Sequence, residues 1–240
     1  MKNPALLTLE TNLISTRENI FEKLKKLFEN KAVEAHVFGS VARGDTDAYS
    51  DIDIWFTFID DDFKEIHEKR FEYYQLIGDI VHICEAPQNA PIGGVHTAIL
   101  VRTNTEGILA IDVSLCPLSS SYITEEGKTL LGIDLPKGTI GYNPKKVQVD
   151  KNYRLDFFIC FIFNAIKKIA RNEQFPLEGV LREYENLYKN YGIPVEPLER
   201  VEQDLRTLEN IIENTKKVAN EKQKETLIII HNFAQRVLLV

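Results

Sequence analysis

The sequence predicts an α+β protein. We expect an N-terminal domain with a mixed β-sheet and flanking helices, followed by an all-α domain with a helical bundle. Between about residues 33 and 115, short apolar runs are separated by turn residues, a pattern typical of strands. From about residue 150 onward the apolar residues recur every three or four positions, and prolines separate the segments, which indicates helices.

The N-terminal part begins with helical spacing over about residues 11–30 and has a second helical segment over 63–77. Strands are predicted at 33–38, around Asp51 and Asp53, and at 79–85, 96–102 and 108–115. The turn at 103–107 predicts that the last two strands form a hairpin. A short helix is predicted over 119–132.

Residues 133–149 are rich in Gly, Pro and Lys without periodicity, so they are predicted to be a linker. The helical pattern then repeats over residues 150–172, 176–191, 197–217 and 221–239. The predicted domains are therefore a sheet domain over 1–140 and a helical domain over 150–240.

The composition excludes some classes of function. The 240 residues carry a net charge of −7, which argues against broad binding of nucleic acid, because such binding requires a cationic surface. The three cysteines lie far apart without the spacing of a zinc or disulfide site, so we expect reduced thiols and a cytoplasmic protein. The most apolar stretch, about residues 155–166, is too short to span a membrane.

The most informative segment is residues 37–58, VFGSVARGDTDAYSDIDIWFTF. Asp51 and Asp53 alternate with apolar residues, so in a strand both carboxylates point to one face. Two carboxylates on one face repel each other unless a cation lies between them, and Mg²⁺ prefers carboxylate oxygens. The alternative is a strand with two solvated aspartates, which leaves the repulsion unexplained.

The Gly39-Ser40 turn precedes this strand. It offers backbone N–H groups and a hydroxyl, and Gly39 has no Cβ to block a close approach, so the turn suits a phosphate. A phosphate site beside two carboxylates that hold a metal indicates phosphoryl or nucleotidyl transfer.

This ordered pattern resembles the signature of the nucleotidyltransferase superfamily related to DNA polymerase β. GSVARG at residues 39–44 and SDID at 50–53 are similar to its small bacterial members, including antibiotic nucleotidyltransferases of the aminoglycoside type. The resemblance implies a nucleotidyltransferase catalytic domain in the N-terminal part and a helical C-terminal domain.

A third carboxylate is expected near the metal as a further ligand or as a base. Asp112 interrupts an apolar run, where an unpaired buried carboxylate is costly, so we expect it to face a cleft or a cation. Residues 106–113 are also similar to the stretch that carries the third acidic residue in bacterial streptomycin-type adenylyltransferases. Glu85 is the alternative base, and it can serve as the base while Asp112 remains a metal ligand.

The resemblance implies that Asp51, Asp53 and Asp112 are catalytic and hold two Mg²⁺ ions, with ATP as co-substrate. It also implies a set of nucleotide-binding residues, namely Gly39, Ser40, Arg43 and Ser50. Two assignments remain open at this stage. Arg43 either contacts the triphosphate or faces solvent, and Ser50 either binds the nucleotide or orients the metal-binding strand.

The predicted reaction is transfer of a nucleoside monophosphate from ATP or another NTP to a hydroxyl of a small molecule, with release of pyrophosphate. An aminoglycoside-like antibiotic is the best candidate for the acceptor, on the resemblance alone. The alternatives are a protein or RNA acceptor, or a non-catalytic antitoxin-like regulatory partner. Neither the oligomeric state nor the nucleotide preference follows from the sequence.

Overall fold

The structure is a computed structural model that describes residues 3–104, 107–139, 150–198 and 201–238. The described residues divide into two compact units. The first, here called the sheet unit, begins at Thr8 and includes the described residues up to 139. The second, the helical unit, comprises the described residues from 150 onward together with those up to Leu7.

The sheet unit contains both helices and strands, and its first helix begins in the residues before Thr8. The main elements are α1 (Pro4–Phe28), β1 (Glu34–Val37), α2 (Gly39–Arg43), β2 (Ile52–Phe58), α3 (Asp60–Gln75), β3 (Asp79–Glu85), β4 (Val95–Arg102) and β5 (Ile108–Pro117). Three short strands follow, β6 (Ile123–Thr124), β7 (Lys128–Gly132) and β8 (Lys137–Gly138). Six strands form one sheet in the order β3-β4-β5-β2-β1-β7, while β6 pairs with β8.

The six-stranded sheet is mixed, because β2 and β5 are parallel and the other neighbours are antiparallel. One face is apolar and packs on helices. Phe28 of α1 contacts Phe56 and Phe58 of β2 and Tyr73 of α3, with ring centroids 4.8–5.6 Å apart. This aromatic cluster anchors both helices to β2 and leaves the opposite face of the strand for polar side chains.

The helical unit contains α4 (Lys151–Ala170), α5 (Glu178–Lys189), α6 (Leu205–Val218) and α7 (Glu221–Leu238). Aromatic pairs hold its core: Phe163 stacks on Phe233, and Phe158 packs on Tyr184, both with centroids 5.8 Å apart. None of the helices in the described part of the chain has the length and apolarity that crossing a bilayer requires.

The predicted fold class is confirmed: a mixed sheet with flanking helices is followed by a helical region. The hairpin of β4 and β5 is also present, although residues 105 and 106 of its predicted turn lie outside the described residues. Residues 140–149 of the predicted linker lie outside them as well. The strand predicted to carry both Asp51 and Asp53 contains only Asp53, because β2 begins at Ile52 and Asp51 directly precedes it.

Two predicted helices are wrong in whole or in part. Residues 119–132 form a short 3₁₀ turn (Leu118–Ser120) and then β6 and β7. The reason is tertiary, because β7 pairs with β1 and covers what would otherwise be a sheet edge. The third C-terminal helix begins at Leu205 instead of 197, because Asp204 caps it by accepting a hydrogen bond from the Thr207 N–H.

Candidate functional site

Two of the predicted catalytic aspartates are direct neighbours in the sheet. Asp53 of β2 and Asp112 of β5 are register partners across a parallel strand pair. Adjacent strands lie about 4.8 Å apart and register partners point to the same face, so the two side chains project side by side. Both are partly exposed, and the Asp112 side chain is 31% exposed. Asp51 is also partly exposed and directly precedes β2.

These carboxylates belong to a polar face of the sheet, on the side away from the Phe56 and Phe58 side chains. Side chains alternate along each strand, so the polar face consists of those that lie on the same side as Asp53. They are Asp53, Trp55 and Thr57 of β2, Asp112 and Ser114 of β5, and His96 of β4. Trp55, Thr57 and Ser114 are fully buried. The carboxylates therefore lie at the more accessible end of β2 and in the adjoining part of β5.

Gly39 contacts Asp53 so closely that no other residue fits without a shift. A Cβ on Gly39 would lie 2.3 Å from Asp53 Oδ2. The Gly39 φ angle is also +61°, in the left-handed region that favours glycine. The Phe38 N–H donates to the Asp53 carbonyl (3.1 Å), which fixes the backbone beside it. The predicted phosphate turn and the predicted metal strand are thus in direct contact.

Ser40 and Arg43 lie in α2, which starts at Gly39. Ser40 is partly exposed in the first turn. Arg43 is 48% exposed, and its guanidinium donates to Asp45 and Glu126, each at 3.1 Å, which raises the Arg43 pKa. Exposed ion pairs of this kind contribute little, so they do not prevent Arg43 from contacting an anionic ligand.

Ser50 is engaged within its own loop. The side chain is 3% exposed, and its hydroxyl accepts from the Asp47 N–H (2.9 Å) and donates to Asp47 Oδ1 (3.0 Å). Arg17 of α1, also buried, donates to the Asp47 carbonyl. Tyr49 donates to Glu10 of α1 (3.1 Å). These contacts favour the interpretation that Ser50 orients the strand that follows.

The alternative base, Glu85, points to the other face. Its register partner is Thr97, whose partner on β5 is Val113, the neighbour of Asp112. Because successive strand residues alternate, Glu85 lies on the face opposite Asp112. Arg70 of α3 donates to Glu85 there. The structure therefore brings Asp112 to Asp53 and does not bring Glu85 to them.

The fit of this site to a metal ion rests on its donors. Carboxylate oxygens are what Mg²⁺ prefers. Among the described residues, however, no group of three or more His, Cys, Asp or Glu side chains is gathered to hold a metal. The backbone brings Asp51, Asp53 and Asp112 near one another, but their side chains are not gathered closely enough to form such a group. Repulsion between carboxylates opposes a closer approach, and a bound cation removes that repulsion. The carboxylate oxygens of this site are therefore the right type of ligand for Mg²⁺.

Two polar residues beside Asp112 were missed from sequence. His96 Nε2 lies 3.5 Å from Asp112 Oδ1, and His96 Nδ1 lies 2.9 Å from Ser114 Oγ. The predicted hairpin contained the signal, because pairing Arg102 with Ile108 places His96 opposite Ser114 and diagonal to Asp112. Looking only for metal-ligand spacing along the chain conceals this cross-strand relation.

A second missed feature is a buried polar chain on the same face. Glu34 and His36 of β1 are fully buried, and His36 Nδ1 lies 3.1 Å from Glu34 Oε1. Thr57 donates to Glu34 (3.0 Å), Ser121 lies 2.5 Å from Thr57, and the Trp55 indole donates to Ser121 (3.2 Å). This chain of buried polar side chains joins β1 and β2 to the segment after β5.

Two of the cavities among the described residues lie in the helical unit. The larger, about 400 Å³, is bordered by α6 and the segment before it, and the smaller, about 300 Å³, by α5 and that segment. Carboxylates are frequent on the larger one, which is lined by Glu196, Glu202, Asp204 and Glu213 among others. None of the predicted site residues lines either cavity.

Comparison with known proteins bears on the N-terminal part. Residues 17–86 match the family described as "Nucleotidyltransferase domain". The match covers less than a third of the 240 residues and includes Gly39, Ser40, Asp51 and Asp53, whereas Asp112 lies beyond it. The chain therefore contains a nucleotidyltransferase domain and is a transferase enzyme of that type.

A solved structure is also similar, the Elizabethkingia meningoseptica CdnE cyclic dinucleotide synthase with GTP and Apcpp. The sequence identity is 15% and the TM-score 0.30, over 98% of this chain and 97% of that chain. A TM-score of this size does not establish a shared function. No curated protein matches this chain at a significant level.

Proposed function

We propose that this nucleotidyltransferase transfers a nucleoside monophosphate from ATP or another NTP to a hydroxyl group of a small molecule and releases pyrophosphate. One observation carries the proposal: Asp53 and Asp112 are register neighbours, and Gly39 at the start of α2 touches the Asp53 carboxylate. This arrangement puts a turn suited to phosphate beside carboxylates suited to a divalent cation.

Asp51, Asp53 and Asp112 are the residues that would hold Mg²⁺. When bound, the metal neutralises charge on the triphosphate and the departing pyrophosphate. In its absence the adjacent carboxylates repel each other, so they bind cations readily. Asp53 lies in β2, Asp112 lies in β5 and Asp51 directly precedes β2. These positions are rigid, because both strands lie inside the six-stranded sheet.

Asp112 is the proposed base for the acceptor hydroxyl. It lies on the same face as Asp53, whereas Glu85 lies on the opposite face and is paired with Arg70. A base has to be within hydrogen-bond reach of the proton that it removes, so the position of Glu85 counts against it. Removal of this proton by Asp112 accompanies attack of the hydroxyl oxygen on the α-phosphorus, and the bond to pyrophosphate breaks.

The triphosphate is proposed to bind at the start of α2. The Gly39 and Ser40 N–H groups belong to the first helical turn, where backbone donors lack partners within the helix. The Ser40 hydroxyl and the Arg43 guanidinium are further donors on the same short helix. Ser50 supports the site through the loop before β2, because its hydroxyl is bonded to Asp47.

A cationic acceptor, such as an aminoglycoside, is the proposed substrate class. The net charge of −7 supports it, since an acidic protein attracts polyamines at long range. The three cysteines are reduced thiols and fit a reducing compartment, so we place the enzyme in the cytoplasm.

The test is pyrophosphate release from ATP, GTP, CTP and UTP with Mg²⁺, measured with and without a panel of aminoglycosides, lincosamides and neutral polyols. We expect release that depends on both Mg²⁺ and the acceptor, with mass spectrometry showing one nucleoside monophosphate added to the acceptor. Neutral polyols of similar size control for the role of acceptor charge.

The outcomes separate the alternatives. Release without a small acceptor, with label on the protein itself or on added RNA, would move the assignment to a macromolecular acceptor. Nucleotide binding without any release would favour a regulatory role. Asp112→Asn serves as the inactive control, because the amide keeps the size of the side chain and removes its charge.

A further inference from the structure

His96 is the polar side chain that β4 places beside Asp112. Its register partner on β5 is Ser114, while the partner of Asp112 is Ala98, whose methyl group makes no hydrogen bond. His96 is therefore diagonal to Asp112, at a separation that long side chains bridge. His96 Nε2 lies 3.5 Å from Asp112 Oδ1, and the His96 side chain is 10% exposed.

Ser114 fixes the imidazole from the other side. It is fully buried, and its hydroxyl lies 2.9 Å from His96 Nδ1. A carboxylate only accepts hydrogen bonds, so a favourable contact with Asp112 requires a proton on Nε2. The Ser114 hydroxyl permits this arrangement, because it donates to Nδ1 of a neutral ring and accepts from Nδ1 of a charged one.

Asp112 thus lies between two different groups on the polar face. On the β2 side its neighbour is Asp53, another carboxylate, and on the β4 side it is the His96 imidazole. The first repels an ionised Asp112 and the second attracts it. A distance of 3.5 Å is longer than an ordinary hydrogen bond, and such contacts shorten when the reacting groups assemble.

We propose that His96 is a positioning residue for Asp112. Its Nε2–H holds Oδ1 and leaves Oδ2 for the acceptor hydroxyl or a metal. The inference rests on the proposed function of Asp112. It concerns orientation of the carboxylate, so it predicts an effect on turnover and not on nucleotide affinity.

The test compares two replacements at one position. His96→Phe keeps a ring and removes both nitrogens, whereas His96→Gln keeps an N–H donor at nearly the place of Nε2. We expect His96→Phe to lower kcat about 10- to 100-fold with little change in KM for the nucleotide, and His96→Gln to recover most of that loss. In an Asp112→Asn background, His96→Phe should cause no further loss.

A merely structural role would give another result. If kcat falls equally in His96→Phe and His96→Gln, or only in proportion to the folded fraction seen by circular dichroism, the proposal is wrong. Ser114→Ala is the second probe, and it should lower kcat in the same direction as His96→Phe but by less, because it loosens the ring without removing it.

A readout that does not need turnover separates this inference from the proposed function. Long-range ¹H–¹⁵N NMR of the imidazole identifies which His96 nitrogen carries the proton. A proton on Nε2, with a resonance that shifts in Asp112→Asn, supports the positioning contact even if no nucleotidyl transfer is found. A neutral ring with its proton on Nδ1 overturns the contact whatever the activity.

Discussion

Asp53 and Asp112 lie side by side across the parallel pair of β2 and β5, although they are far apart along the chain. The consequence for activity is direct. Asp53→Asn and Asp112→Asn should each lower pyrophosphate release by about 100-fold or more, since each removes a charge that metal-assisted transfer needs. Asp61→Asn, at an exposed position in the first turn of α3, is the control and should keep normal activity.

Normal release in both site variants would contradict the assignment of these aspartates. Folding has to be checked in parallel, because removing charge from a repelling pair should leave stability unchanged or raise it. A variant that is both inactive and more stable than wild type would support a functional site that is held at a cost to stability.

Gly39 offers a sharper test of the contact between the phosphate turn and β2. Gly39→Ala places a Cβ 2.3 Å from Asp53 Oδ2 and strains a left-handed backbone, so both activity and stability should fall. Gly44→Ala is a matched control, because its φ of +77° carries the same strain while nothing lies within 4 Å of the added Cβ. Each should lose about 1–2 kcal/mol of unfolding free energy through strain.

Activity separates the two glycine variants. Gly44→Ala should retain turnover once the folded fraction is taken into account, while Gly39→Ala should not, because its Cβ displaces the Asp53 carboxylate. Urea unfolding gives the stability and pyrophosphate release gives the rate. Equal loss of turnover in both variants would mean that strain in α2, and not displacement of Asp53, controls the site.

The sequence predicted the parts of this fold that local pattern controls. The period of the apolar residues located β3 correctly and β4 and β5 within two residues, and the Asp-x-Asp alternation located β2. The helix predicted over 119–132 failed, because pairing of β7 with β1 is decided by a distant strand that local propensity does not register.

The site residues could also be predicted only where local sequence pattern identifies them. Asp51, Asp53 and Asp112 could be proposed from residue type and flanking apolar residues. His96 could not, because its relation to Asp112 exists only through the register of the hairpin. The choice between Asp112 and Glu85 also depended on register, since one residue of shift moves every side chain to the opposite face.

Ser50 and Ser40 should respond differently to loss of the hydroxyl group. Ser50→Ala removes two hydrogen bonds to Asp47 in a buried loop, so it should lower the free energy of unfolding by about 1–2 kcal/mol. Ser40→Ala removes a hydroxyl from a partly exposed position at the start of α2 and should mainly raise KM for the nucleotide. The reverse pattern would assign the nucleotide contact to Ser50.

The buried chain from Trp55 to Glu34 predicts an effect on stability alone. Glu34 accepts from both Thr57 and His36, so Glu34→Gln forces an amide N–H toward one of these donors. We expect a loss of about 1–3 kcal/mol by thermal or urea unfolding. Thr57→Ser keeps the hydroxyl and serves as the control. An unchanged midpoint for Glu34→Gln would contradict this stabilising role of the Glu34 carboxylate.

The N-cap of α6 predicts a dependence of stability on pH. Asp204 accepts from the Thr207 N–H at 2.8 Å, and this hydrogen bond lowers the Asp204 pKa below its ordinary value of 3.8. A lowered folded-state pKa means that the stabilisation is fully present above the unfolded-state value and is lost as the pH falls through the folded-state value. Asp204→Ala should therefore lower the unfolding free energy by about 1 kcal/mol at pH 7.

The matched variant is Asp204→Asn, which keeps an acceptor for the Thr207 N–H and does not titrate. Its stability relative to wild type should rise as the pH is lowered below the ordinary pKa, because only the wild type then loses its charged cap. Urea unfolding of the two proteins between pH 7 and the acid range measures this difference. A constant difference would mean that the Asp204 carboxylate is not the acceptor that holds the first turn of α6.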